Sequence, residues 1–155
     1  MRRWVYMGLI AAVLLTAPLI YGWSSTSSAV TGPGKIRLTS REISRTRVDV
    51  GKPGPGVGDT EIVRTNLFNL RLKDKPIGHT EYVCTFTTSF ARSCTVTIFM
   101  PRGRLIAGGS IRYQDLYELA VLGGTRLYDD ARGTLTVIRT TRRPRRHIML
   151  FRLTG

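Results

Sequence analysis

The sequence has little of what metal and covalent chemistry need. Of its 155 residues only two are histidine and two are cysteine. His79 and His147 stand far apart, with no acid or cysteine beside them at ligand spacing, so no metal site is expected. There is no Gly-x-Ser-x-Gly elbow and no Walker loop. Gly54, Gly56 and Gly58 imitate a phosphate cradle, but no helix start follows to supply a dipole. No stretch keeps a helical period, and no internal repeat is visible. Acids are scarce as well. Ten Asp and Glu face 24 Lys and Arg, giving a formal charge of +14. All ten acids lie after residue 40, and 20 of the 24 cations are Arg. The length fits one domain with a core of ordinary size.

What is present is unevenly placed. Residues 4–23 form a 20-residue run without a charge. Arg2 and Arg3 precede it, and a polar stretch of small residues, Ser24-Ser25-Thr26-Ser27-Ser28-Ala29, follows. That order is the n-region, h-region and cleavage region of a secretory signal. The run is also long enough to span a bilayer, at roughly 30 Å of helix. Trp4, Tyr6, Tyr21 and Trp23 mark its ends as interfacial aromatics would. Residues 1–29 are therefore expected to be a cleaved signal or a retained membrane anchor, and residues 30–37 a linker. In either case residues 38–155 form a domain outside the cytoplasm.

That compartment bears on Cys84 and Cys94. An oxidising setting favours a disulfide between them. The alternative is a reactive thiol with Arg92 as its charged neighbour. Most of the remaining chain alternates as strands do. Expected strands run over 35–50, 62–72, 77–88, 95–100, 104–112, 116–122, 134–141 and 147–153, with residues 115–122 also open to a helical turn. Turns separate them at Lys73-Asp74-Lys75-Pro76, Pro101-Arg102-Gly103 and Gly123-Gly124, and residues 51–59 form a glycine- and proline-rich loop. This pattern predicts an all-β barrel or sandwich. Arg139, Arg142, Arg143, Arg145 and Arg146 crowd eight residues. Export and the lack of interleaved aromatics argue against nucleic acid, leaving a solvated hairpin or contact with anionic lipid or envelope polymer.

From about Leu38 to Leu153 the ordered motifs resemble the allene oxide cyclase/dirigent superfamily, in particular its bacterial members. The residues that carry the resemblance are Val48-Asp49-Val50-Gly51, Gly56-Val57-Gly58-Asp59, Asn66-Leu67-Phe68, Ile77-Gly78 and Met100-Pro101-Arg102-Gly103. To these are added Gly108-Gly109, Leu119-Ala120-Val121-Leu122-Gly123-Gly124-Thr125, Tyr128 and Ala131-Arg132-Gly133. Arg126 stands where the family usually has a further glycine. The resemblance implies a single eight-stranded antiparallel β-barrel that needs no cofactor, and often a homotrimer.

Residue by residue, the resemblance places a first-strand carboxylate at Glu42. Ser44 and Thr65 fall where the plant cyclases have asparagines. Glu42, Ser44 and Thr65 are thus the expected catalytic positions. Glu61, Val63 and Ile111 are the expected substrate contacts, Ile111 falling where the family has a cavity tyrosine. A buried Glu42 would have a raised pKa suited to proton transfer, whereas an exposed one would pair with Arg41 or Arg45. The implied function is a cofactor-independent cyclase or isomerase that closes a ring in a hydrophobic, polyketide- or lipid-like substrate. The alternative is a non-catalytic extracytoplasmic barrel that binds a small apolar ligand or an anionic envelope component.

Overall fold

The computed structural model describes residues 34–69, 75–140 and 146–154. The segment expected to be a signal or anchor and all of residues 141–145 lie outside the described residues. Eight strands follow one another: β1 (Gly34–Val48), β2 (Thr60–Phe68), β3 (Gly78–Phe86), β4 (Arg92–Met100), β5 (Gly103–Ile111), β6 (Leu116–Gly124), β7 (Arg132–Arg139) and β8 (Arg146–Thr154). Each pairs antiparallel with the next, and β8 closes on β1. The architecture is the expected all-β, eight-stranded antiparallel barrel, whose closure leaves no edge exposed.

The alternation seen in the sequence sets the inward and outward faces. In β2, Glu61, Val63, Thr65 and Leu67 are buried while Ile62 and Arg64 are exposed. In β4, Arg92, Cys94, Val96 and Ile98 turn inward. Two differences from the sequence reading concern element limits. β1 begins at Gly34, inside the expected 30–37 linker, because residues 34–37 pair with residues 150–153 of β8. Residues 116–124 are a strand throughout, since ladder bonds to β7 outweigh any local helical tendency.

One end of the barrel is packed solid. Leu67, Val96, Ile98, Leu105, Leu135, Met149 and Phe151 are almost fully buried there. A 3₁₀ turn, Arg126–Tyr128, folds under this end and buries the Tyr128 ring. The turn fits because Gly103 and Gly124 carry no side chain: a Cβ at Gly103 would collide with the Thr125 carbonyl, and one at Gly124 with the carbonyls of Tyr128 and Arg104. Arg126, in place of the family's glycine, still takes a left-handed φ of 59°. The opposite end, where β1, β3, β5 and β7 finish, stays open.

A mouth cavity lined by arginines and tyrosines

The open end holds a half-open cavity of about 470 Å³, open solvent at its mouth included. Val63, Cys84 and Ile111 supply apolar wall, and Thr65, Tyr82, Tyr117 and His147 supply hydroxyls and an imidazole. Arg45, Arg92, Arg139 and Glu61 ring the entrance. Register explains the convergence: Val63 pairs with Tyr82, Glu61 with Cys84, Arg92 with Ile111, and Arg139 with His147.

A β-bulge in β1 decides which first-strand residues face this cavity. Glu42 lies opposite inward-facing Thr65, but the register then slips and Ser44 lies opposite outward-facing Arg64. The extra residue turns Ser44 to solvent and brings Arg45 inward, opposite Val63. Plain alternation from Glu42 would have kept Ser44 inside, so the sequence reading placed the wrong residue in the cavity. Arg45 occupies the place expected for Ser44.

Charged groups at the entrance form one network. Glu61 is buried, and each of its oxygens accepts from a guanidinium, one from Arg45 and one from Arg92. Arg45 also donates two bonds to Glu42, at 2.9 and 2.7 Å. Glu42 sits at the rim, one third exposed, and is not part of the cavity lining. The Arg45 hydrogen bond holds its carboxyl below the ordinary value of 4.5, opposing a smaller effect of burial. The rim position keeps Glu42 ionised, the reverse of the raised pKa a buried proton donor would have. Arg92 lies over the Phe86 ring from one quarter, with Arg47 over the same ring at 4.7 Å.

Deeper in the cavity, Thr65 and Thr80 share a 2.7 Å hydrogen bond. The Tyr82 hydroxyl and the His147 Nδ1 are buried and make no hydrogen bond of good geometry. Burial pushes the Tyr82 phenol well above its ordinary pKa and raises that of Tyr117. Burial, then the positive Arg139, lowers the pKa of His147, which therefore stays neutral at pH 7. Cys84 and Cys94 are opposite each other in register and joined by a disulfide, so the reactive-thiol alternative falls.

The structure thus brings Thr65, Glu61, Val63 and Ile111 into one cavity, leaves Glu42 at its rim and puts Ser44 outside. The sequence reading missed Arg45, Tyr82, Tyr117, Arg139 and His147 as cavity residues. Thr80, Tyr82 and Cys84 share one face of β3, so that alternation could have flagged Tyr82. Arg139 was read as part of a solvated hairpin or of a contact with anionic lipid or envelope polymer, and nothing local to it signals a cavity position.

The closed eight-stranded barrel, with a polar-fringed cavity at its mouth, has the fold of dirigent proteins and of ring-closing barrels. Among solved structures the chain is similar to a pyocyanin demethylase, at 25% identity and a TM-score of 0.65, over 76% of this chain and 99% of that one. It is also similar to the pterocarpan synthase dirigent protein GePTS1, at 13% identity and a TM-score of 0.61, over 79% of this chain and 89% of that one. A third is the Diels–Alderase AbmU from Streptomyces koyangensis, at 14% identity and a TM-score of 0.63, over 78% of this chain and 64% of that one. No family model matches the chain. No curated protein matches it either. The resemblance read from the motifs therefore holds at the level of the fold.

Proposed function

We propose that this barrel is a cofactor-independent cyclase or isomerase that closes a ring in a hydrophobic, polyketide- or lipid-like substrate held in the mouth cavity. The observation that carries the reading is the buried Tyr82 hydroxyl, which lies beside the Tyr117 and Thr80 hydroxyls without a well-formed hydrogen bond, in a partly apolar cavity near arginines. A substrate carbonyl placed there would accept a hydrogen bond from Tyr82. As the new carbon–carbon bond forms and π electrons shift, negative charge grows on that oxygen. A fixed hydroxyl and nearby guanidiniums stabilise it at little reorganisation cost. Val63 and Ile111 restrict the substrate's apolar chain, so that much of the barrier is lowered by confinement. No atom leaves and none is added. Thr65, engaged with Thr80, shapes the wall, and Glu42 with Glu61 positions Arg45.

The barrel works outside the cytoplasm, a setting the Cys84–Cys94 disulfide supports. It does so as a homo-oligomer, for which the exposed outer residues Ile62, Val83, Ile106 and Leu122 offer an apolar contact surface. The alternative, a barrel that binds an apolar ligand without turnover, uses the same cavity.

Incubation with linear compounds carrying a conjugated diene and an activated alkene, followed by mass-resolved chromatography, separates the readings. Ring closure gives a product of unchanged mass, and Tyr82→Phe slows it at least ~tenfold, equivalent to about 1.4 kcal/mol of barrier. Loss of a methyl group would instead indicate demethylation. Binding with no product indicates the non-catalytic barrel.

A further inference from the structure

The charges at the cavity entrance do not balance. Arg45, Arg92 and Arg139 face two carboxylates, Glu42 and Glu61. Glu61 is shared between Arg45 and Arg92, and Glu42 is committed to Arg45. The Arg139 guanidinium has a long 3.4 Å bond to the Gln114 side-chain carbonyl and no ion pair with a carboxylate among the described residues, Glu42 acting on it at longer range. Its neighbour in register, His147, adds a buried Nδ1 without a partner. Three guanidiniums against two carboxylates leave one uncompensated positive charge, next in register to the unpartnered His147 Nδ1. In a half-open cavity that charge is less screened than one on the outer surface.

Resting on the cyclase reading above, we infer that the cavity takes a monoanionic substrate. Its acidic group, a carboxylate or an acidic enol, is held by Arg139 at the entrance while its apolar body lies against Val63 and Ile111. The guanidinium suits such a group because it presents two parallel donors to a pair of oxygens. The acidic head then fixes which end of the substrate enters first and which atoms reach Tyr82. Arg139 is in this account a binding and specificity residue and takes no part in proton transfer.

Two fluorescent probes with one skeleton test this. N-phenyl-1-naphthylamine is neutral, and 1-anilinonaphthalene-8-sulfonate is the same molecule with one permanent negative charge. Titration of the full chain should show the sulfonate binding at least ~tenfold tighter than the neutral probe, a difference of about 1.4 kcal/mol. Arg139→Gln should bring the sulfonate's affinity down to that of the neutral probe. Arg126→Gln, at the packed end, should leave the preference in place, which excludes a general effect of surface charge. If the neutral probe binds and the sulfonate binds no tighter, the inference is overturned while the apolar cavity reading stands. If Arg126→Gln erases the preference as fully as Arg139→Gln does, the inference is likewise overturned. If neither probe binds, both the cavity reading and the inference fail.

Discussion

Tyr82 is the residue that best separates function from stability. Its hydroxyl is buried without a good partner, and an unmet polar group costs about 1–3 kcal/mol. Tyr82→Phe should therefore raise the stability of the ligand-free protein, by about 1 kcal/mol in a denaturant titration, while it lowers turnover. A loss of stability would mean that the hydroxyl is engaged within the fold. His147 gives a second prediction. In the folded chain it resists protonation, whereas in the unfolded chain it protonates near its ordinary value of 6.5. Stability is thus full above that pH and falls as the pH drops below it. The ionised rim carboxylate of Glu42 and the carboxylate of Asp59 add further losses below their ordinary values of 4.5 and 3.8. His147→Gln should flatten the thermal-melting profile just below pH 6.5 and leave the carboxylate-dependent part at lower pH. At this scale the sequence was only partly legible. Thr65 and Ile111 could be placed through the motif resemblance, and Glu61 and Val63 share the face of Thr65 because parity holds within an unbroken strand. Ser44 could not, because the β1 bulge shifts that parity and leaves no local mark in the residues around it.

Among the elements, the loop between β1 and β2 and the turn after β6 show how the backbone is fixed. Residues 49–59 look like featureless glycine and proline in the sequence. Asp59, with a side chain fully shielded from solvent, organises them by accepting from the amides of Val50 and Gly56 and pairing with Arg47 at 3.1 Å. The backbone bonds, ahead of Arg47, hold its carboxyl below the ordinary value. The turn after β6 carries a detectable penalty. Arg126 sits at φ 59°, a conformation that disfavours a residue with a Cβ by roughly 1–2 kcal/mol. Part of this is offset by the greater freedom of glycine in the unfolded chain. Arg126→Gly should raise stability by up to about 1 kcal/mol, and an equal or lower stability would contradict the local account. Strand limits were readable to within a few residues because Gly and Pro punctuate the turns. The 3₁₀ turn was not, since it depends on space left beneath the barrel by Gly103 and Gly124.

For the whole molecule, a solid end and an open end divide the labour. The packed end, from Leu67 to Phe151, fixes the barrel, and the mouth is left free to carry unsatisfied polar groups. The disulfide joins β3 to β4 on the cavity wall. Replacing both cysteines with alanine should remove about 2–3 kcal/mol through the looser unfolded chain, read as a lower denaturation midpoint of the oxidised protein. The closed barrel was legible from alternation and motif order together. Which end would stay open was not, because both ends of each strand read alike in one dimension. The central claim is that the mouth cavity confines a substrate and so directs its ring closure. The most direct test is the stereoisomer ratio of the ring-closed product formed with the wild-type protein and with Ile111→Trp, which fills the cavity from the apolar wall. A single stereoisomer with the wild type, and the mixture of the uncatalysed reaction with Ile111→Trp, is the expected result. The same mixture from both proteins, or the same single stereoisomer from both, would contradict it.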